Sequence, residues 1–171
     1  MSGKPRLRNR VAIVTGASSG LGRAIALAYH EEGAKVVCAD IRGSPRPEFE
    51  SEAAQKTTRD LIVEKGGDAI FIQADVCRSE DMKYLLAEAA NHYGHVDIMV
   101  NNAGVVTEPR PFHELNEAEF DRIMSINCRG TFLGCKYAAE QMLRQEKNEN
   151  GDRGWIINIA SVYSLAAATG I

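Results

Sequence analysis

The residues with the clearest chemical potential stand at Thr15-Gly16-Ala17-Ser18-Ser19-Gly20-Leu21-Gly22. This segment follows the apolar run Val11–Val14 and precedes a run with helical spacing. Glycines at such a junction permit a tight turn at Gly16, close backbone approach to an anion at Gly20, and close packing of helix on strand at Gly22. The free N–H groups that open a helix suit a pyrophosphate. A plain tight loop is the competing reading, and the place between strand and helix argues against it. Asp40 ends the second apolar run, about 20 residues beyond the glycines, where a carboxylate accepts from the adenine ribose hydroxyls. It would repel a 2′-phosphate and so favours NAD over NADP. Arg23 and Arg42 are cations that could attract that phosphate, so NADP stays open. A turn-forming Asp before Arg42-Gly43 is the other reading of Asp40.

Further polar groups follow later apolar runs: Asp75-Val76, Asn101-Asn102-Ala103-Gly104 and Ser161. The periodicity predicts the elements that place them. Strands are expected at Val11–Val14, Lys35–Ala39, Ala69–Gln73, Asp97–Val100 and Trp155–Ile159. Helices are expected over Leu21–Glu32, Glu48–Lys65, Ser79–Tyr93 with Ser79 as its cap, and Glu117 to about Gln145. In the last of these, Phe120, Ile123, Met124, Ile126 and Phe132 are expected to pack inward. Ser44–Pro47 and Glu146–Arg153 read as loops. Strands alternating with helices imply an α/β fold, a doubly wound parallel sheet of Rossmann type. The first two helices should cover one face and the next two the other. Ligands of such sheets bind beyond the carboxyl ends of the strands, where all these motifs fall.

Taken together, the Gly16/Gly20/Gly22 loop, Asp75-Val76, Asn101-Asn102-Ala103-Gly104, Asn127 and Ser161 resemble the short-chain dehydrogenase/reductase family, in that family's order and over nearly the whole chain. The resemblance implies hydride transfer between a nicotinamide cofactor and a secondary alcohol or ketone. It implies that Asp75 and Val76 meet the adenine ring, and that Asn102, Ala103 and Gly104 line the cleft floor. It makes Ser161 the serine that positions the substrate oxygen and Asn127 the asparagine that holds a relay water. A turn serine and a mid-helix polar residue are their bland readings. The family's Tyr-x-x-x-Lys pair has no match here. Tyr163 lies too near Ser161, and Ala167 stands four residues beyond it, so Tyr163 is not assigned as the base. The expectation is of a C-terminally incomplete chain, weakly active or inactive alone. Its last strand would be a bare edge, leaving it marginally stable.

The 171 residues are 44% hydrophobic and 25% charged, with net charge −3, which suits one domain over 1–171. That charge gives no reason to expect nucleic acid or an anionic membrane as partner. Lys4, Arg6, Arg8 and Arg10 read as a solvated basic arm over residues 1–10. No apolar run is of membrane-spanning length and no signal peptide is visible, so a cytoplasmic location is expected. Cys38, Cys77, Cys128 and Cys135 form no Cys-x-x-Cys pair, and reduced, mostly buried thiols are expected. His92 and His95 read as surface histidines, and no metal site is expected.

Two readings from other classes stand beside the enzyme. One is a non-catalytic dinucleotide binder. The other is an interaction module, since the resemblance implies that the 117–145 helix pairs with its mate in a homo-oligomer or a full-length relative. Gly130 and Gly134 would permit close approach there, although packing on the chain's own sheet explains them equally well.

Overall fold

The computed structural model describes residues 5–45 and 56–162. The apolar runs are strands: β1 (Val11–Thr15), β2 (Lys35–Asp40), β3 (Ala69–Gln73), β4 (Ile98–Asn101) and β5 (Trp155–Asn158). All pairings are parallel and the order is β3-β2-β1-β4-β5. β1 and β4 are buried at every residue, as strands covered on both faces must be. The order reverses between β1 and its neighbours, and this opens a crevice at the carboxyl ends of β1 and β4.

Helices α1 (Gly20–Glu31) and α2 (Thr58–Glu64) pack on one face, where Ala12, Val14, Val36, Ala26 and Ile62 form a core. On the other face lie α3 (Ser79–Tyr93) and α5 (Thr131–Leu143), with Val11, Ile13, Met82, Leu85, Leu133 and Tyr137. This is the expected doubly wound α/β arrangement. Alternate residues of β1 serve the two cores, as the two-residue period of a strand requires.

Several expectations change. The second helix is not continuous from Glu48 to Lys65. Thr57 is extended and its side chain accepts from the Asp60 N–H, so the helix starts at Thr58; residues 48–55 lie outside the described residues. Ser79 is not the cap of α3 but its first residue, preceded by an extended Arg78. The 117–145 segment is helical in three parts: α4 (Glu117–Ile123), a π-helical stretch (Met124–Gly130) and α5. Phe120, Met124 and Phe132 point outward, Phe120 being 50% and Phe132 60% exposed. The inward face carries Leu133, Tyr137, Ala138 and Met142 instead. Gly130 and Gly134 mark that inward face. A methyl group at 130 would lie 2.8 Å from Val76 Cγ2, and one at 134 would lie 2.8 Å from Asn101 Cγ.

Of the basic arm, residues 1–4 lie outside the described residues; over residues 5–10 Arg6 and Arg8 are exposed, as expected, but Leu7 and Arg10 are docked. Leu7 packs on the α1–α2 core, its N–H donates to the Glu32 carbonyl, and Arg6 pairs with Glu32 at 2.9 Å. Arg10 pairs with Asp97 at 3.1 Å and lies 5.5 Å from the Trp155 ring centre. Asp97 also accepts from the Val11 N–H and lies 2.9 Å from His95 Nε2, so His95 is part of a network rather than a lone surface residue. Of the cysteines only Cys38 is buried; Cys77 and Cys135 are half-buried and Cys128 is exposed. Trp155 and Ile157 on β5, and Ile159 just past it, are more than a third exposed. Among the described residues, no helix is long and apolar enough to cross a membrane.

Candidate functional site

The turn after β1 is built by two glycines in the left-handed region, Gly16 (φ 67°) and Gly20 (φ 53°). Side chains rarely adopt this conformation, which explains the residue type at both places. Nothing lies within 4 Å of where a Gly20 Cβ would be, so the backbone faces open space on that side. Gly22 is the opposite case. A methyl there would lie 2.5 Å from Asn102 Nδ2 and 2.7 Å from the Gly16 carbonyl carbon. The first turn of α1 therefore presses against both the β1 turn and the β4 turn. Ser19 precedes the helix in extended conformation and its side chain makes no cap bond, which leaves the opening N–H groups unclaimed by it.

Thr15 joins these turns. Its Oγ1 accepts from the N–H groups of Asn102 (3.0 Å) and Ala103 (3.1 Å) and donates to the Val100 carbonyl. Asn102 Nδ2 donates to the Thr15 carbonyl at 2.8 Å. The Asn-Asn pair thus splits its duties. Asn102 fixes the β4 turn to β1, while buried Asn101 donates to Asn158 Oδ1 at 2.8 Å and ties β4 to β5. Thr15 opens the segment read from the sequence but carried no role there; a Thr immediately before the first glycine was the available signal.

Asp40 closes β2. One carboxylate oxygen accepts from the Ser18 N–H (3.0 Å) and the other from the Ile41 N–H (2.8 Å). Ser18 is buried and its hydroxyl donates to the Arg42 carbonyl at 2.6 Å, so Ser18 braces the loop rather than facing the cleft. Past β3, Asp75 accepts from the Cys77 N–H at 2.9 Å, and its own N–H donates to Asp81. Burial raises the Cys77 thiol pKa, which disfavours a thiolate there. Gly16, Ser19–Gly22, Asp40, Asp75, Val76 and Asn102–Gly104 all wall one cleft of about 430 Å³ at the carboxyl ends of β1–β4. Ile41, Val105, Arg122 and Ile126 also wall it and carried no motif in the sequence.

Asn127 lies in the π-helical stretch. Its Nδ2 donates to the Val105 carbonyl at 2.8 Å, and its Oδ1 accepts from the Val105 N–H at 2.9 Å. Thr131 Oγ1 donates to the Asn127 carbonyl at 2.8 Å. Ser161 is exposed just beyond β5 and is not among the residues that wall the cleft. Tyr163 lies outside the described residues.

The cleft fits a dinucleotide. It offers an open side at Gly20 for a pyrophosphate and carboxylates at the ends of β2 and β3 for an adenosine. Among the described residues, no group of three or more His, Cys, Asp or Glu is placed to hold a metal ion.

Known proteins share this sequence and fold. The model for the short chain dehydrogenase family matches residues 10–171. An uncharacterized oxidoreductase of Thermotoga maritima is 38% identical over 158 residues, 92% of this chain and 56% of the relative. Glucose 1-dehydrogenase 2 of Bacillus subtilis is 35% identical, over 92% and 56%. (+)-Borneol dehydrogenase 2 of Salvia officinalis is 38% identical, over 96% and 53%. A crystal structure of a short-chain type dehydrogenase/reductase from Mycobacterium marinum superposes with a TM-score of 0.81 at 32% identity, covering 95% of this chain and 60% of that one. The chain spans about half the length of the curated relatives it matches. It belongs to the short chain dehydrogenase family.

Proposed function

We propose that this short chain dehydrogenase sequence holds a nicotinamide dinucleotide, NAD in preference to NADP, and serves an oxidoreductase acting on a secondary alcohol or ketone. The observation that carries the reading is the gathering of the Gly16–Gly22 turn, Asp40 and Asp75 from three successive strand ends around one cleft. The cofactor, when bound, supplies the hydride chemistry; the protein supplies placement and electrostatics. The N–H groups of Gly20, Leu21 and Gly22 hold the phosphates. Asp40 accepts from the ribose hydroxyls and repels a 2′-phosphate. Asp75 accepts from the adenine amino group beside Val76, and Asn102, Ala103 and Gly104 form the floor.

Ser161 positions the substrate oxygen in this reading. Both groups of the Asn127 amide are committed to Val105. Each of those groups keeps one further position, an N–H on Nδ2 and a lone pair on Oδ1, while the backbone carbonyl accepts from Thr131, and a relay water is held at one of these atoms. No residue of this sequence is assigned as the proton acceptor. The relatives' names point to carbon skeletons as unlike as glucose and borneol, so the substrate is left at its class.

Fluorescence titration with NADH and NADPH tests the cofactor reading. NADH should bind more tightly, and Asp40→Ala should shift the ratio toward NADPH. Tighter binding of NADPH, with a ratio that Asp40→Ala leaves alone, would overturn it.

A second reading has its own observation. Phe120, Met124 and Phe132 form an exposed apolar series along α4, the π-helical stretch and α5. This supports docking of that face onto a second copy or a longer relative. A sedimentation experiment that finds only monomer at high concentration, and no association with a full-length relative, would remove it.

A further inference from the structure

The wall of the cleft carries one cation among the described residues, Arg122, and two carboxylates, Asp40 and Asp75. Its helix offers few partners. The positions three and four residues away are Glu119, Ala118, Ser125 and Ile126, so Glu119 is the single carboxylate within reach along the helix. Glu119 is already engaged, since its Oε2 lies 3.1 Å from Arg110. Among the described residues, no carboxylate pairs with Arg122. The neighbouring turns fix where it stands. Asn127 is bonded at both amide groups to Val105, and Arg129 donates to the Cys77 carbonyl. The helix is thus pinned to the turns after β4 and β3 alike, and Ile126, one turn beyond Arg122, walls the same cleft.

We infer that Arg122 is a charge-complementing residue for the dinucleotide: its unpaired guanidinium attracts the phosphates held on the Gly20–Gly22 side of the cleft. The Arg110–Glu119 pair serves this by engaging the one carboxylate at helical spacing from Arg122. A cation facing an anion across a partly solvated cleft acts at long range and is screened by salt. This inference rests on the proposed dinucleotide site and adds to it a residue that no motif marks.

The test is the equilibrium binding of NADH, ADP-ribose and adenosine to the 171-residue chain, to Arg122→Gln and to Arg122→Lys, at about 20 mM and about 200 mM KCl, a range over which the Debye length shrinks severalfold. Arg122→Gln should weaken NADH and ADP-ribose by roughly threefold to tenfold at low salt, and by much less at high salt. Arg122→Lys should retain most of the affinity, and adenosine should bind all three proteins alike. Equal NADH affinity of Arg122→Gln and the unaltered chain at low salt would overturn the inference and leave the site reading standing. So would a loss for adenosine as large as that for ADP-ribose, which would point to stacking on the base. Failure of the unaltered chain to bind NADH or ADP-ribose would overturn the site reading and this inference together.

Discussion

Gly22→Ala puts the tightest contact of the cleft under test. The added methyl would stand 2.5 Å from Asn102 Nδ2 and 2.7 Å from the Gly16 carbonyl carbon, and closer still to the Gly16 carbonyl oxygen. Two of these atoms are backbone of the turn itself, so the strain cannot be relieved by turning a flexible side chain. Overpacking of this kind costs about 3 kcal/mol. Displacing Asn102 breaks its 2.8 Å bond to the Thr15 carbonyl, which adds about 1 kcal/mol. For a chain of this length a loss of about 4 kcal/mol lowers Tm by roughly 10 °C. Gly66→Ala is the control. Gly66 has φ 80° and nothing within 4 Å of the new methyl. Its cost is therefore backbone strain alone, about 1–2 kcal/mol, with no cleft atom moved. Thermal melts should rank the variants in that order. NADH affinity, measured well below either Tm, should fall more than about tenfold for Gly22→Ala, as expected when binding donors are misplaced. It should not change for Gly66→Ala. A Gly22→Ala protein that melts within about 2 °C of the original, less than about 1 kcal/mol, and binds NADH unchanged would refute the packing account of this glycine.

Other outcomes follow from the same structure. Asp97→Ala leaves Arg10 and the Val11 N–H without their shared acceptor at a site only 5% exposed. It should cost about 3 kcal/mol in a urea melt, and a change below about 0.5 kcal/mol, the level of an ordinary surface substitution, would contradict the network. Burial pushes the Cys38 thiol up to about 12, so a thiol reagent near pH 8 should label exposed Cys128 first and Cys38 only on unfolding. Early labelling at Cys38, located by peptide mass, would contradict its burial. The folded-state pKa of Cys38 lies above its ordinary value of 9.0. The unfolded chain therefore loses its proton first, and stability should be insensitive to this group below pH 9 and fall as pH rises toward 12. Tyr93, raised by burial and by Asp68, acts in the same direction. Urea melts should show a shallower alkaline loss for Cys38→Ala than for the unaltered chain, and equal slopes would remove Cys38 as a cause.

The sequence carried the order and type of nearly every element, because apolar runs and glycine stops report burial directly. Gly16, Gly20 and Gly22 were legible for the same reason: each meets a backbone demand that few other residues can satisfy. The orientation of the 117–143 helical segment was not legible from its large side chains. Phe120, Met124 and Phe132 form one apolar series, and Leu133, Tyr137 and Met142 form another, so periodicity alone could not choose between them. The π-helical stretch between them also shifts the helical phase. Gly130 and Gly134 held the answer, since small residues sit where a helix meets its own sheet. Arg122 carried no signal, and Ile126 read only as an inward-packing residue, because both wall the cleft by virtue of that orientation. The docking of Leu7 and Arg10 and the pairing of Arg6 were hidden by composition, since a basic run reads as solvated until its acidic partners, Glu32 and Asp97, are brought to it by the fold.

The central claim is that a dinucleotide binds at the carboxyl ends of β1–β4. Amide chemical shifts of the ¹⁵N-labelled chain, followed during titration with NADH, test it most directly. The account predicts saturable shifts at Gly20–Gly22, Ile41, Asp75–Cys77 and Asn102–Val105, with little change near Arg10, Asp97 and Arg153 at the opposite end of the sheet. Shifts confined to that opposite end, or none at saturating NADH, would contradict it.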